Sequence, residues 1–190
     1  FGRGARHMAE QEVIAYVQQL HSAGGAEAAS AWLSKFQRSP QAWAVAHALL
    51  TDPQVTQPEV QHFAAQTLCT KVQAGPESLG DQKGQLKEVI LQLIVAHKAS
   101  LAVVLRQLCV ALCAYILHSP EWDNAIKDTV GTLTQAPGTY TALLEILCLL
   151  PEEVSNKRVL ITPVRRAQVG DKKLAETPFV FEAPTKLQCT

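Results

Sequence analysis

The sequence has no excess of charge of either sign. Its 190 residues contain 17 lysines and arginines and 17 aspartates and glutamates, so the formal net charge is zero at pH 7. Proteins that bind nucleic acid or anionic membranes through general electrostatic attraction carry a clear surplus of basic residues. The balanced composition therefore predicts no direct binding of nucleic acid or membrane, and attraction to a partner has to come from local patches.

Cysteine is scarce, and its spacing does not favour metal binding. The five cysteines include no pair separated by two residues, and four of them lie in apolar helical stretches. Cys109 and Cys113 share one helical face, yet no histidine or cysteine at a suitable spacing completes a zinc site. We therefore predict reduced, buried thiols and neither a metal nor a cofactor.

Long apolar runs and catalytic motifs are also lacking. The longest apolar run, Leu101 to Leu117, contains Arg106 and Gln107 and is short for a membrane span. No N-terminal stretch is typical of a signal peptide, and no phosphate-binding loop, dinucleotide fingerprint or hydrolase elbow is present. Cys69 and His62 are weak candidates for a catalytic nucleophile and its general base, because both lie on one helix without an orienting third group. These observations predict a soluble intracellular protein that is not an enzyme.

What the sequence does contain is a repeated helical pattern. Apolar residues recur at steps of three and four, and the amphipathic segments form antiparallel pairs about every 35 to 45 residues. The predicted helices run from about Met8 to His21, Ala26 to Ser39, Ser39 to Leu50, Pro58 to Gln73, Leu86 to Ile94, Ser100 to Leu117, Ser119 to Leu133, and Thr139 to Leu150. Because one pair is too small to bury its own apolar face, the pairs have to stack. The sequence predicts an all-α solenoid of about four helical hairpins.

Proline marks several of the predicted helix ends. Ser39-Pro40 and Ser119-Pro120 each have the pattern of an N-cap followed by proline in the first turn, and Pro151 is expected to end the eighth helix. After Val154 the helical periodicity fails, which predicts an irregular, mostly disordered tail over residues 155–190. Only Phe179-Val180-Phe181 has strand character there, without a partner strand.

The predicted repeats occupy residues 8–154. The only methionine, Met8, opens the first helical pattern, so residues 1–7 are expected to be a non-native or disordered extension. At the other end, the segment from Leu143 to Leu150 has no polar outer side. An array that stops there would expose an apolar terminal face.

Four separated strings carry a resemblance to a known family. They are Trp32-Leu33 followed by Gln37-Arg38-Ser39-Pro40-Gln41-Ala42-Trp43, then Phe63-Ala64-Ala65-Gln66-Thr67-Leu68, then Gln107-Leu108-Cys109-Val110-Ala111-Leu112, and then Leu144-Glu145-Ile146-Leu147 with Leu150-Pro151-Glu152-Glu153. In their order and spacing they resemble the importin-β superfamily, in its transportin-SR and importin-thirteen branch, over about residues 10–154. The resemblance implies a right-handed α-solenoid of about four HEAT-type hairpins, equivalent to the N-terminal part of a longer receptor.

The resemblance also implies a function. In that family the N-terminal repeats bind Ran in its GTP form through the second helix of each pair, and they help to hold cargo. A protein of this kind is a nuclear transport receptor that shuttles between nucleus and cytoplasm as a monomer. Its implied partners are Ran-GTP, an import cargo protein and nuclear pore components.

The candidate binding residues lie on the second helices of the predicted pairs. In the fourth helix a polar stripe that begins at Glu59 lies opposite a buried apolar stripe, and polar positions recur in the sixth and eighth helices. The residues expected to bind Ran or another partner are His62, Gln66, Thr70, Lys71, Gln73, Arg106, Gln107 and Glu145. An ordinary solvated helix face is the alternative, and Glu145, among leucines, would need a partner if it is buried.

Two other functions remain open at this point. The chain could be a helical-repeat scaffold that binds a protein without any GTPase control, and nucleotide dependence distinguishes that case. It could also be a truncated product that is non-functional or acts as a competitor, which an exposed last repeat favours.

Overall fold

The computed structural model of the protein describes residues 3–20, 24–75, 85–156, 159, 161–164 and 166–167. Over these residues the chain forms eight α-helices and no strand. The helices are α1 (Arg3–Gln19), α2 (Ala26–Arg38), α3 (Ala42–Thr51), α4 (Pro58–Gln73), α5 (Leu86–Ala96), α6 (Ala102–His118), α7 (Ala125–Gln135) and α8 (Tyr140–Ser155). The predicted all-α solenoid is confirmed, and the strand-like segment 179–181 lies outside the described residues.

The helices form four hairpins in two layers. Each first helix packs against the second helix that follows it, so that α1 pairs with α2, α3 with α4, α5 with α6, and α7 with α8. The second helices α4, α6 and α8 also pack side by side, while α1 contacts α3 and α5 contacts α7 in the other layer. Because α6 is covered from several sides, eleven of its 17 residues are buried, as predicted for a central helix.

The fourth helix has the predicted bounds and the predicted apolar face. Its core stripe, Val60, Ala64, Leu68 and Val72, has no exposed surface, and it packs between α3 and α6. Burying a valine or leucine side chain contributes roughly 1.5–3 kcal/mol relative to leaving it exposed. The orientation of α4 is therefore set by its apolar side, which leaves the opposite side polar.

The two Ser-Pro pairs do not start helices, contrary to the prediction. The backbone N–H of Ala42 donates to Ser39 O at 3.3 Å, and that of Trp122 donates to Ser119 O at 3.1 Å. Each proline thus occupies the second position of a turn, where its fixed φ fits equally well. The helices begin later, α3 at Ala42 and α7 at Ala125.

Pro151 does not end the eighth helix, contrary to the prediction. It lies inside α8, which continues to Ser155. Proline removes only one intrahelical hydrogen bond at this point, and tertiary contacts hold the turn that follows. Glu153 is buried and accepts a hydrogen bond from Gln73 Nε2 of α4 at 3.1 Å. This contact between distant helices offsets the hydrogen bond lost at Pro151, and the sequence around Pro151 does not indicate it.

Described residues before Met8 and after Val154 form contacts of their own. α1 begins at Arg3, before Met8, with an ion pair between Arg6 and Glu10 at 3.5 Å. Beyond α8, Val159 is fully buried, and the Arg166 guanidinium donates hydrogen bonds to the carbonyl oxygens of Val154, Asn156 and Val159. The ion pair lies within α1, whereas the Arg166 bonds hold the residues beyond α8 against the end of that helix. Hydrophobic periodicity indicates neither contact.

The outer side of α8 is open and largely apolar. Leu144 is 64% exposed, Tyr140 is 65% exposed, and Cys148 is also exposed. The side of α8 that faces α6 is buried through Ala142, Ile146 and Leu149. Over the described residues, the last hairpin therefore has the apolar terminal face that the sequence predicts.

Candidate partner-binding surface

A polar strip runs along the side of α4 that faces away from the core. We call Glu59, His62, Gln66 and Thr70 the α4 strip; three of them are exposed, and His62 is half-buried. Thr70 Oγ1 donates to Gln66 O at 2.9 Å, within the same helix. The side-chain amide of Gln66 has no hydrogen-bond partner among the described residues, so its two donors and its acceptor are free for a partner.

A buried polar contact under the strip fixes how α4 sits against α2. Gln37 Nε2 donates to Thr67 Oγ1 at 3.2 Å, and Thr67 Oγ1 donates to Phe63 O at 2.8 Å. Thr67 has no exposed surface. Sequence reasoning missed this contact, although Gln37 and Thr67 both lie in the strings that carry the family resemblance. The signal available in the sequence was Thr67, a polar residue beside the apolar stripe of α4, because a buried polar group needs a hydrogen-bond partner.

Lys71 is committed to a contact within the chain. Its ammonium Nζ donates to the carbonyl oxygen of Ser39 at 2.8 Å, which joins α4 to the turn between α2 and α3. Partial burial lowers the pKa of Lys71. A lysine held in this way serves as a structural tie, and its charge is less available to a partner than the sequence suggests.

Gln73 lies at the centre of a polar cluster where α4, α6 and α8 end. Its side chain donates to Glu153 Oε2, and its carbonyl oxygen lies 3.3 Å from Nε2 of His118 on α6. Asn156 Nδ2 donates to both oxygens of Glu153 at 3.0 and 3.1 Å. Burial lowers the pKa of His118, although its bond to the Gln73 carbonyl acts in the opposite direction. The cluster holds the three second helices together.

Arg106 and Glu145 are partners of each other. The Arg106 guanidinium donates to Glu145 Oε1 and, through its other terminal nitrogen, lies 3.5 Å from Glu152 Oε2. The side chains of Arg106 and Glu145 are 51% and 29% exposed. Glu145 is therefore neither a buried, unpaired carboxylate nor a free acidic group. The ion pair joins α6 to α8 at a surface that a partner can still reach.

The eight candidate residues thus form two groups. On α4, His62, Gln66 and Thr70 stay available, whereas Lys71 and Gln73 have structural contacts. On α6 and α8, Arg106 and Glu145 are paired, and the half-buried Gln107 has no side-chain hydrogen bond among the described residues. The structure therefore concentrates the free polar groups in the α4 strip.

Cys69 and Cys109 do not have the environment of a nucleophile. Cys69 is buried, and burial, with a further contribution from the charge of Glu153, raises the pKa of its thiol to about 12. Burial likewise raises the pKa of Cys109 to about 12. A thiol with such a pKa is almost entirely protonated at neutral pH and reacts slowly. The prediction of buried thiols is confirmed for Cys69, Cys109 and Cys113 and is wrong for Cys148, which lies on the open side of α8.

Neither a metal cluster nor a membrane span is found in the part of the chain that the structure describes. No group of three or more histidine, cysteine, aspartate or glutamate side chains converges there as a metal site would require. The helices described also fall short of the length and apolar character that crossing a bilayer requires.

Two protein-family models match the chain, one after the other. The model described as importin-beta N-terminal domain matches residues 29–96, which span α2 to α5. The model described as exportin 1-like protein matches residues 102–183, which begin with α6 and continue beyond α8. The boundary between the two matches falls in the turn between α5 and α6.

Several known proteins are similar to the chain. Importin-13 of Homo sapiens is 36% identical over 162 residues, which is 80% of this chain and 16% of that protein. Importin-13 of Bos taurus is 34% identical over the same length. The mRNA transport regulator MTR10 of Saccharomyces cerevisiae is 36% identical over 124 residues, which is 64% of this chain and 12% of that protein. The chain therefore spans about one sixth or less of the length of these relatives.

Proposed function

Because the chain is a homologue of the importin-β family of nuclear transport receptors, we propose that it supplies a docking surface for Ran-GTP in protein import into the nucleus. It also contributes to the surface that holds cargo. The protein shuttles between nucleus and cytoplasm in this role, and GTP-loaded Ran releases cargo by competing for linked sites. The α4 strip is the observation that carries the proposal.

The strip suits a polar protein partner. It places His62, Gln66 and Thr70 on successive turns of one rigid helix, so a partner meets hydrogen-bonding groups at fixed spacing. The tie between Lys71 and Ser39 and the Gln37–Thr67 bond fix the helix beneath it. A preorganised surface loses little conformational entropy on binding, which favours affinity.

Binding to immobilised Ran, loaded either with GDP or with a non-hydrolysable GTP analogue, tests this proposal. We expect the chain to bind the GTP-analogue form and not the GDP form. The double substitution His62→Ala with Gln66→Ala should weaken binding by about tenfold, the effect of losing roughly 1.4 kcal/mol of interaction. The matched control, Gln11→Ala with Gln92→Ala, changes exposed residues of α1 and α5 and should bind like the unmodified chain.

The same experiment separates the alternatives. Equal binding of both nucleotide forms would favour a scaffold without GTPase control. No binding of either form, by a chain whose circular dichroism retains full helicity, would reject a Ran-docking role. Equal weakening by the α4 pair and by the control pair would remove the strip as the contact surface.

A further inference from the structure

Exposed apolar side chains gather where α6 and α8 begin. Six large hydrophobic residues are strongly exposed over the described part of the chain, and four of them lie at these two helix starts. Leu101 is 56% exposed and Val103 is 52% exposed at the start of α6, and Tyr140 and Leu144 are exposed at the start of α8. Single exposed apolar residues need no explanation, but a contiguous group of them indicates an interaction surface.

A groove of about 350 Å³ lies between these helix starts. Its lining comes from the turn before α6, from α6 itself and from α8; the residues are Lys98, Ser100, Ala102, Val103, Leu105, Arg106, Thr141 and Glu145. Val103 is both one of the exposed apolar residues and part of this lining. The groove therefore includes exposed apolar surface beside its charged residues.

The two basic residues of the groove, Arg106 and Lys98, differ in whether a carboxylate pairs with them. Arg106 is neutralised by Glu145, with which it forms an ion pair across the groove. Lys98 is half-buried and donates one hydrogen bond to the carbonyl oxygen of Pro137. The bond of Lys71 to Ser39 is partly buried, whereas that of Lys98 to Pro137 is exposed. No carboxylate lies within ion-pair distance of Lys98 in the described ranges, so two of its donors and its positive charge remain for a ligand.

We propose that this α6–α8 groove binds an extended segment of another protein in which a carboxylate side chain is flanked by bulky apolar residues. The carboxylate pairs with Lys98, and the apolar side chains cover Val103 and Leu101. A segment of this kind complements both the unpaired cation and the apolar group.

Other ligand classes fit the groove less well. A nucleic acid needs several cations along its phosphate backbone, whereas the groove has one unpaired lysine. A small molecule usually has most of its surface enclosed by its pocket, whereas this groove is open to solvent. An extended peptide can lie along an open groove and place side chains at intervals. The proposal goes beyond Ran docking and does not depend on it.

Fluorescence polarisation with a labelled dodecapeptide tests the proposal. The probe carries one central glutamate between Leu and Phe residues, and two reference peptides carry glutamine in place of the glutamate or serine in place of the apolar residues. We expect saturable binding of the probe and about fivefold weaker binding of each reference peptide. The preference for glutamate over glutamine should shrink as salt is raised, because an exposed ion pair is screened.

Substitutions locate the binding site. Lys98→Gln and Val103→Ser should each weaken probe binding by about fivefold, which corresponds to roughly 1 kcal/mol. Lys127→Gln and Met8→Ser are matched controls at exposed positions of α7 and α1, and they should leave binding unchanged. Circular dichroism and the melting temperature establish that each variant is folded.

Several outcomes would overturn the proposal. They are no saturable binding of the probe, equal binding of all three peptides, or equal loss in the groove variants and the controls. Concentration-dependent self-association that Val103→Ser abolishes would identify a second copy of the chain as the occupant and would also overturn it. Because no GTPase is present, the result is independent of the outcome for Ran.

Discussion

At the scale of single residues, Lys71 forms a structural contact that the family resemblance does not indicate. The sequence places a basic residue beside the polar strip, and the resemblance makes it a binding residue. The structure uses its ammonium to hold the carbonyl oxygen of Ser39. A substitution at Lys71 therefore affects the packing of α4 on the α2–α3 turn as well as any binding, and binding tests are better made at His62 and Gln66.

Replacement of Lys71 by methionine tests this assignment. Lys71→Met keeps the length of the side chain and removes the hydrogen bond, so we expect a loss of about 1 kcal/mol in the free energy of unfolding, measured in urea. Lys127→Met, at an exposed site on α7, should change the stability by less than about half of that. Equal effects of the two substitutions would mean that the bond to Ser39 contributes nothing.

His118 predicts a pH dependence of stability. Burial lowers the pKa of His118 in the folded protein below its ordinary value of 6.5. As the pH falls through 6.5, the unfolded chain therefore takes up the proton first, and acid favours unfolding. The contribution of His118 to stability is present above pH 6.5 and is lost as the pH falls toward the lowered pKa.

The melting temperature measured between pH 7.5 and pH 5.5 checks this dependence. We expect it to fall in the unmodified chain and to fall less in His118→Gln, which keeps a side-chain donor near Gln73. Part of the decrease should remain in the variant, because burial and the charge of Arg6 also lower the pKa of His47. An identical pH dependence in both proteins would contradict the role of His118.

At the scale of helices, sequence periodicity predicts some elements well and others poorly. The bounds and the buried stripe of α4 follow from apolar spacing alone, because Val60, Ala64, Leu68 and Val72 are separated by whole turns. The start of α3 and the end of α8 do not follow from apolar spacing. Ser39-Pro40 fits a helix cap and a turn equally well, and the turn of α8 after Pro151 accepts a hydrogen bond from Gln73 of α4, 80 residues away in the chain.

The same limit applies to the candidate site. Periodicity indicates that His62, Gln66 and Thr70 face away from the core, and they do. It does not indicate that Arg106 reaches Glu145, because the pairing depends on how α6 lies against α8. The two residues are separated by 39 positions, about one hairpin, and opposite charges at that spacing were the signal available in the sequence.

The Arg106–Glu145 pair should couple α6 to α8 weakly. We predict a coupling energy of about 0.5 kcal/mol in a double-mutant cycle of Arg106→Ala and Glu145→Ala, measured by urea unfolding at low salt. The value is small because both side chains are partly exposed. Raising the salt concentration should reduce it further. Strictly additive effects at low salt would show that the pair is not formed in solution.

At the scale of the whole molecule, function depends on what the stack of hairpins leaves uncovered. The second helices bury their shared sides against each other, and the opposite side is polar in α4 and largely apolar in α8. A repeat protein of this kind offers an extended surface and no enclosed pocket for chemistry. The two surfaces that we propose, the α4 strip and the α6–α8 groove, are both consequences of this arrangement.

The central claim is that the α4 strip is the surface that meets GTP-loaded Ran. Single cysteines introduced by His62→Cys, Gln66→Cys or Thr70→Cys, with Cys148→Ser and Cys189→Ser to remove background thiols, can be labelled with a thiol reagent. Gln92→Cys on α5 serves as the control. The account predicts that Ran loaded with the GTP analogue, but not with GDP, slows labelling at all three α4 positions and leaves the α5 position unchanged. Labelling of the α4 positions at the same rate with and without Ran, or protection of the α5 position alone, would contradict it.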